Sequence, residues 1–244
     1  MEIVVDDARF FKSCIDAVVN LVDEGSLEVT KNGLHLRTMD PSQIAMVDFL
    51  LPKEAFSGFD VEEERTVGIN LVDLSKILAR SRSEEKLTIS LDEKESRILL
   101  KFEGQSKRYF KLPLLDLGGV APKEPRIQAD SIVRIRGGAL KEMLKDAGLL
   151  SSHVVLEAGG EEFVVEAHGD SGELRIETPK KSENIAELKS SAPSRAMFPY
   201  EYLDDMTRAC PEEEILEMNL KTDMPIKLSY QIKHARLTYY LAPR

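Results

Sequence analysis

The sequence predicts an α+β fold built from four β-α-β-β-β units that form two similar domains. Four stretches carry apolar residues at helical spacing, and each follows an extended stretch and precedes runs of alternating apolar and polar residues. The first and third stretches begin about half a chain apart, as do the second and fourth, which indicates a duplicated domain whose halves are themselves duplicated. A segment rich in glycine and proline separates the halves.

The four helices are predicted from apolar stripes with charged residues on the opposite face. The first two stripes are Phe11, Cys14, Ile15, Val18 and Val22, and then Leu71, Leu74, Ile77 and Leu78. The last two are Leu140, Met143, Leu144 and Ala147, which follow Gly137-Gly138, and then Leu203, Met206 and Cys210, with Asp205 exposed. The basic residues of the outer faces are Arg9, Lys12, Lys76, Arg80, Lys141, Lys145 and Arg208.

The strands are predicted from alternation behind each helix. They lie near residues 27–29, 34–36, 47–51, 87–91, 98–102, 154–156, 163–165, 174–176, 226–232 and 237–241. Glycines at 159–160 and within 169–172 predict turns, and the charged segments 59–65 and 180–183 are interpreted as solvated loops. Two glycines and two prolines in residues 117–125 predict a linker, so the expected domains are 1–117 and 127–244, joined by 118–126.

Composition excludes several classes of protein. The chain has 244 residues, is 42% hydrophobic and 31% charged, and contains two cysteines. Disorder and a disulfide framework are therefore not expected, and no zinc-ligand spacing, secretory leader or membrane span is recognised, which predicts a soluble intracellular protein without membrane partners. A net charge of -10 argues against nucleic-acid binding unless basic residues concentrate on one surface.

Catalytic patterns are absent from the sequence. No glycine-rich phosphate loop, GxSxG turn or histidine beside a plausible nucleophile occurs. Runs such as 62–64 and 212–214 are acidic, but such runs are typical of solvated surface, and the dispersed histidines are interpreted as structural. We therefore predict that the protein is not an enzyme and needs no metal or cofactor.

Four ordered segments resemble the PCNA family of DNA sliding clamps. Residues 36–44, Leu-Arg-Thr-Met-Asp-Pro-Ser-Gln-Ile, resemble the segment around the family's Met-Asp-x-Ser motif. Residues 68–78 resemble its second pore helix, and 223–226, Asp-Met-Pro-Ile, resemble a turn before the penultimate strands. The ending 237–244, Leu-Thr-Tyr-Tyr-Leu-Ala-Pro-Arg, is also similar. The charged, tryptophan-free composition is most like the archaeal branch.

The resemblance implies a DNA-clamp fold in which three subunits form a ring around double-stranded DNA of any sequence. Helices would line the hole and antiparallel sheets would form the outer wall. Such a clamp confers processivity by tethering DNA polymerase, and it also binds a clamp loader, flap endonuclease and DNA ligase through short motifs with glutamine and aromatic residues. The location would be cytoplasmic and nucleoid-associated in an archaeon, or nuclear in a eukaryote.

The resemblance also assigns the basic outer-face residues given above to a DNA-facing pore. Their alternative role is only to keep the protein soluble. Asp16, Asn20 and Glu201 stand where relatives often have basic residues, which predicts a less positive channel. Non-specific phosphate contacts suit a protein that moves along any sequence, because base recognition would hold it in place.

A groove for partner motifs is implied beneath the linker. Its floor, linker wall and remaining lining are Met39, Gln43, Ile44, Met46, Leu117, Val120, Pro122, Pro225, Tyr240, Leu241, Ala242 and Pro243. Core filling is the alternative interpretation of Met39 and Met46.

The implied subunit interface pairs the strand at 107–114 with an edge strand at 171–178 of the neighbour. The residues expected there are Ile77, Arg82, Arg108, Tyr109, Phe110, Leu112, Glu142, Asp146, Leu174 and Ile176. Charge complementarity further suggests that Arg80, Arg82 or Arg108 meets Glu142 or Asp146 across the interface.

Two other classes of protein stay open. An acidic protein-interaction scaffold that does not encircle DNA would explain the charge and the groove, but not the basic residues on all four helices. A nuclease or transferase would need a metal or nucleotide site that the sequence does not contain.

Overall fold

The computed structural model describes residues 1–92, 94–118 and 121–244. Contacts divide the chain into two compact units. Unit 1 consists of Met1–Pro41, Val47–Pro122 and Lys233–Arg236, and unit 2 of Ser42–Met46, Lys123–Ile232 and Leu237–Arg244. No helix among the described residues is long and apolar enough to cross a bilayer.

The first half of the chain contains two helices among nine strands within its described residues. In order, the elements are β1 (Glu2–Val5), α1 (Ala8–Val19), β2 (Glu24–Thr30), β3 (Gly33–Met39), β4 (Ala45–Pro52), a 3-10 turn (Lys53–Ala55), β5 (Gly58–Asp60), β6 (Arg65–Asn70), α2 (Leu71–Leu78), β7 (Lys86–Asp92), β8 (Arg97–Glu103) and β9 (Lys107–Pro113). In unit 1 the strands lie in the orders β5-β1-β7-β8-β9 and β4-β3-β2-β6.

The second half repeats this arrangement. Its elements are β10 (Ser131–Arg136), α3 (Gly137–Gly148), β11 (His153–Gly159), β12 (Glu162–Gly169), β13 (Gly172–Pro179), β14 (Ile185–Ser190), β15 (Ser194–Pro199), α4 (Tyr200–Arg208), β16 (Ile215–Leu220), β17 (Ile226–Ile232) and β18 (Ala235–Leu241). In unit 2 the strands lie in the orders β13-β12-β11-β15 and β14-β10-β16-β17-β18.

The predicted α+β fold of repeated β-α-β-β-β units is confirmed. The four repeats begin at β1, β6, β10 and β15, and each continues through one helix and three strands. One short strand precedes the second repeat of each half, β5 in the first and β14 in the second. The interpretation of residues 59–65 as a loop was therefore partly wrong, because Phe59 and Asp60 belong to β5, where Phe59 pairs with Ile3.

The predicted stripes are buried except for Ile77 on α2, which is half-buried. Asp7 caps α1 by accepting a hydrogen bond from the backbone N–H of Arg9 at 3.0 Å, and Asn70 caps α2 through the N–H of Asp73 at 2.8 Å. Helix α3 begins at Gly137, earlier than expected, and glycine is required at that position because a Cβ there would lie 2.6 Å from Cys210 Sγ. Arg80 and Cys210 were predicted on helices but lie beyond the ends of α2 and α4.

Both cysteines lie in the apolar interior. Cys14 is 0% exposed and Cys210 is 2% exposed, and burial raises the pKa of each thiol to about 12. Near Cys210, the rings of Tyr230 and Tyr239 stack with centroids 5.9 Å apart. The Tyr230 hydroxyl donates to the carbonyl of Met206 at 3.0 Å, which ties α4 to the sheet beneath it.

Candidate functional site

Two of the predicted DNA-facing cations of unit 1, Lys12 and Lys76, are held by carboxylates on their own helices. Lys12 bonds to the carboxylate of Asp16, whose other oxygen accepts a hydrogen bond from Ser75 Oγ at 3.0 Å. On α2, Lys76 Nζ lies 3.2 Å from the carboxylate of Asp73. The facing surfaces of α1 and α2 are therefore joined by a polar contact in which Lys12 is already neutralised.

Helices α3 and α4 of unit 2 show the same arrangement. Lys145 donates to Glu142 at 2.7 Å, and this bond raises the pKa of the lysine. Arg208 donates to Asp204 at 2.6 Å and lies 2.7 Å from Asp205. Lys141 Nζ donates instead to the backbone carbonyl of Cys210 at 2.8 Å, which links α3 to the end of α4.

Two of the predicted pore residues have no such partner. Arg9 and Arg80 are exposed, and neither side chain forms an ion pair with any residue that the structure describes. Arg9 lies in the first turn of α1. The backbone of Arg80 is fixed, since its N–H donates to Ile77 at 2.9 Å and its carbonyl accepts from Arg108 at 3.1 Å.

The four described helices as a whole carry no excess of basic residues. Between their ends the four described helices carry six basic and seven acidic side chains. The basic ones are Arg9, Lys12, Lys76, Lys141, Lys145 and Arg208, and the acidic ones are Asp16, Asp73, Glu142, Asp146, Glu201, Asp204 and Asp205. Asp205, predicted to be exposed, is half-buried, and desolvation raises the pKa of its carboxyl.

The two strands predicted at the subunit interface both lie at sheet edges. β9 ends its sheet in unit 1, and β13 ends its sheet in unit 2. The faces that carry Phe110 and Leu112 on β9, and Leu174 and Ile176 on β13, are half-buried. Each strand is next to a helix, since β9 contacts α2 and β13 contacts α3. Each edge therefore offers unpaired backbone groups beside apolar surface that folding of its unit leaves incompletely covered.

Arg108, suggested for an ion pair between subunits, forms an ion pair within its own unit. Its guanidinium donates to Glu85 at 2.6 Å and lies 5.0 Å from the ring centroid of Phe102. Glu85 is 2% exposed and also accepts the backbone N–H of Arg82 at 2.7 Å. Arg108 is thus committed to its own domain, where it neutralises a buried carboxylate.

The other charges suggested for that ion pair differ in availability. Glu142 is bonded to Lys145. Arg82 and Asp146 are exposed, and neither side chain forms an ion pair within the described part of the chain. Tyr109 on β9 is 68% exposed, and Leu149, which the sequence did not single out, is 80% exposed just after α3. The apolar stripe of α3 ends at Ala147, so a leucine two residues later, outside the stripe, could have indicated an exposed apolar side chain.

Several predicted groove residues meet within unit 2. The backbone N–H of Ala242 donates to the carbonyl of Ile44 at 2.9 Å, so the chain end pairs with the segment that contains Gln43. Tyr240 donates to Glu124 at 2.5 Å, and Lys227 Nζ lies 5.6 Å from the centre of the Tyr240 ring. These contacts join Glu124, in the second part of the linker, to β17 and β18.

The groove assignments of Met46, Tyr240 and Leu241 need correction. Their exposures are 1%, 3% and 0%, so all three fill the interior. The predicted residues that keep exposed or half-buried side chains are Met39, Gln43, Ile44, Leu117, Pro122, Pro225, Ala242 and Pro243. Val120 lies outside the described residues. Core filling, the alternative considered for Met46, is what the structure has.

Further lining residues were missed by the sequence analysis. Met224 is 48% exposed beside Pro225, although it stands within the recognised Asp-Met-Pro-Ile segment. Glu124 and Lys227, 3.6 Å apart, could not be found from sequence because their contact depends on the path of the linker. In unit 1 the linker residues Leu117 and Pro122 border a depression of about 520 Å³ that Glu28 and Arg37 also line.

A charged cluster spans strands β2, β3 and β4 of unit 1. His35 Nδ1 lies 2.9 Å from Glu28, and its Nε2 lies 2.9 Å from Asp48. Arg37 Nε donates to the second oxygen of Asp48 at 2.8 Å. The hydrogen bond to Asp48 raises the pKa of His35, and the bond to Glu28 acts in the same direction, while partial burial opposes them.

Comparisons with known proteins identify the family. Residues 1–118 match the model for the proliferating cell nuclear antigen, N-terminal domain, and 123–244 match the model for its C-terminal domain. The DNA polymerase sliding clamp of Methanococcus vannielii is 36% identical, with 98% of this chain and 96% of the relative covered. The protein of the same name from Thermococcus gammatolerans is 34% identical, with 100% and 98% covered.

Solved structures agree with the family models. The crystal structure of PCNA from Thermococcus kodakaraensis superposes with a TM-score of 0.94 at 27% identity, with 100% of this chain and 99% of that chain covered. A. fulgidus PCNA, solved with the bound C-terminal region of FEN-1, gives a TM-score of 0.90 at 25% identity, covering 100% and 98%. The resemblance recognised in the sequence is thereby confirmed, and the chain belongs to the proliferating cell nuclear antigen family.

Proposed function

We propose that this chain is a DNA sliding clamp, which closes as a trimeric ring around duplex DNA and tethers replication and repair proteins. The observation that carries the proposal is the full-length match, across both family domains in order, to relatives named DNA polymerase sliding clamp. The proposed role is binding rather than catalysis, as expected of a processivity factor. Because these relatives are archaeal, we place the protein in the cytoplasm, associated with the nucleoid.

The geometry supports ring closure through β9 of one subunit and β13 of the next. Each strand has an unpaired edge and a half-buried apolar face beside a helix. An antiparallel pair between them would satisfy both edges and cover Phe110, Leu112, Leu174 and Ile176. Because the two edges belong to different halves of the chain, the contact is head-to-tail and closes if the rotation per subunit is 120°, the angle of a threefold ring.

The partner surface that we propose combines the linker with the chain end. Its exposed or half-buried members are Met39, Gln43, Ile44, Leu117, Pro122, Pro225, Ala242 and Pro243, to which we add Met224. Apolar, partly methionine-lined surface suits short motifs with aliphatic and aromatic anchors. By analogy with the FEN-1 segment bound to A. fulgidus PCNA, we propose flap endonuclease, polymerase, ligase and loader as partners.

We also propose that the two domains of the clamp span residues 1–117 and 127–244.

An acidic interaction scaffold that does not encircle DNA is the second candidate. The charge balance of the helices favours it, since they carry no excess of basic residues. The two functions differ in DNA contact, because the clamp would contact DNA through the seven basic residues predicted to face it and the scaffold would not. A scaffold needs neither trimerisation nor a topological link to DNA.

Loading onto circular DNA tests the proposal. The chain is incubated with a nicked plasmid, ATP and an archaeal clamp loader, and the DNA is then separated by gel filtration. A clamp should co-elute with the circle and leave it after linearisation, because only the circle traps a ring. Equal loss from circular and linear DNA contradicts the clamp and favours the scaffold. A monomer in equilibrium sedimentation at micromolar concentration would also contradict the ring.

A further inference from the structure

Four predicted DNA-facing cations are paired with carboxylates of the same helix, three or four residues away. The pairs are Lys12 with Asp16, Lys76 with Asp73, Lys145 with Glu142, and Arg208 with Asp204. Each helix contributes one pair. The same pairing therefore occurs on all four helices and is not a single local contact.

We propose that these carboxylates mask the helix cations and that Lys141 is held by the Cys210 carbonyl, so that encircled DNA meets nearly neutral helices and is contacted mainly by Arg9 and Arg80. The inference rests on the proposed function, because it concerns how a ring holds the duplex it surrounds. It names Asp16, Asp73, Glu142 and Asp204 as residues that set the strength of DNA contact without touching DNA.

The physical reason is that a cation paired with a carboxylate gains less binding free energy on meeting a phosphate than an unpaired cation does. Affinity for DNA comes from cations that replace condensed counterions on the backbone. A lysine bonded to a carboxylate presents a dipole, whose field falls off faster with distance than that of a single charge, and it must exchange or share its partner to reach a phosphate. On α4 the cation is paired with two carboxylates, because Arg208 lies within 2.7 Å of both Asp204 and Asp205.

Arg9 and Arg80 differ from these cations in having no competing carboxylate. Both side chains are exposed, and neither forms an ion pair with any residue in 1–92, 94–118 or 121–244. Arginine also presents a planar set of donors that suits phosphate oxygens. Two free arginines per subunit give a ring that stays on DNA through topology and contacts it lightly, which keeps resistance to sliding low.

A double-mutant cycle at Lys76 and Asp73 tests the masking. The rings are loaded onto long stretched DNA, and their one-dimensional diffusion is followed by single-molecule fluorescence at salt from 50 to 500 mM. Asp73→Asn should slow diffusion about threefold at 50 mM, because three lysines per ring become free, and the difference should vanish at high salt. Lys76→Gln should speed diffusion much more in the Asp73→Asn background than in the unaltered ring, because only there is the lysine free of its carboxylate.

Glu95→Gln is the matched control. Glu95 pairs with Lys111 at 3.1 Å, is as exposed as Asp73 at 52%, and lies in the turn between β7 and β8, away from the helices. It should diffuse like the unaltered ring. Arg9→Gln provides a second measurement that does not depend on the first turn of α2, and it should speed diffusion about twofold.

The outcomes separate the inference from the proposed function. An unaltered chain that is never retained on circular DNA overturns the clamp, and the masking with it. Retention of the unaltered ring, together with equal diffusion of the Asp73→Asn and Glu95→Gln rings, overturns the masking alone. An equal effect of Lys76→Gln in both backgrounds has the same meaning, since it shows that Asp73 does not control Lys76.

Discussion

His35 on β3 lies between the carboxylates of two neighbouring strands, which makes its contribution to stability depend on pH. Hydrogen bonding to Asp48, assisted by Glu28, raises the pKa of His35 above its ordinary value of 6.5. A group whose pKa is higher in the folded chain stabilises fully below the unfolded-state pKa, and the contribution is lost as pH rises through the folded-state pKa. We expect His35→Gln to lower the free energy of unfolding by about 1–2 kcal/mol at pH 6 and by less at pH 9, measured by urea denaturation.

His168 is the control for this prediction. It is 53% exposed and lies 3.6 Å from Glu173 and 3.7 Å from Glu166, distances too long for strong hydrogen bonds. The substitution His168→Gln should therefore change stability little at either pH. If His35→Gln cost the same at pH 6 and pH 9, the charge of His35 would have no part in its effect.

Arg108 offers a test of a buried ion pair. Replacing it by glutamine leaves the Glu85 carboxylate, 2% exposed, without its cation, and we expect a loss of about 3 kcal/mol in the free energy of unfolding. Lys107 is 65% exposed, and its Nζ lies 3.6 Å from Glu103, which makes this a weak surface pair. Lys107→Gln should therefore lower the free energy of unfolding by less than about 0.5 kcal/mol. Equal losses in urea denaturation at pH 7 would contradict the assigned role of Arg108.

Residue contacts were predictable from sequence only where they are local. The partners of Lys12, Lys76 and Lys145 stand three or four residues away, and helical spacing alone could have paired them. Arg108 and Glu85 are 23 residues apart, and their contact depends on β9 passing the loop that follows α2. Arg108 was assigned to the subunit interface from the resemblance and from charge complementarity, and neither could reveal its contact with Glu85 within the unit.

At the scale of elements, the end of β12 is packed closely against the loop after α3. A Cβ on Gly169 would lie 1.8 Å from the backbone carbonyl oxygen of Leu150. Because backbone cannot swing aside as a side chain can, Gly169→Ala should cost about 3 kcal/mol or more of unfolding free energy, seen as a lower thermal midpoint. Gly118→Ala meets no atom within 4 Å and should stay within about 0.5 kcal/mol. A midpoint unchanged in both would show that β12 and the loop can separate without cost.

Elements with strong periodicity were predicted well, and short ones were not. The stripes of α1 to α4 and the alternating runs behind them located the helices and most strands. β5 has three residues and two of them fall in a segment dominated by charge, so no alternation could be recognised. It forms because β1 offers a free edge, a condition that only the assembled sheet supplies.

For the whole molecule, trimerisation should depend on the half-buried face of β13. Ile176→Asp places a charge where the proposed partner strand would cover apolar surface, and the chain should become monomeric at micromolar concentration in sedimentation. Leu99→Asp is matched to it, because Leu99 is also half-buried on a strand, but on β8 rather than an edge. That variant should stay trimeric. A trimeric, folded Ile176→Asp protein would contradict the proposed interface.

Duplication and order of motifs allowed the family to be recognised from sequence, whereas the pairing of charges on the helices was not predicted. Asp16 and Glu201 were noted as acids on the helix faces, but no acid was assigned as the partner of a particular cation. Charge on a surface depends on all side chains that share it, and the positions of Asp73, Glu142 and Asp204 relative to their cations became measurable only with the helices in place.

The interior position of the two native thiols has a practical consequence for fluorescence work. Because burial raises the pKa of both thiols to about 12, Cys14 and Cys210 present very little thiolate at pH 8, and burial further hinders reagents from reaching them. A single cysteine introduced at an exposed position should therefore react with a maleimide dye almost alone, without removal of the native pair. The natural sequence is, in effect, already a background for site-specific labelling.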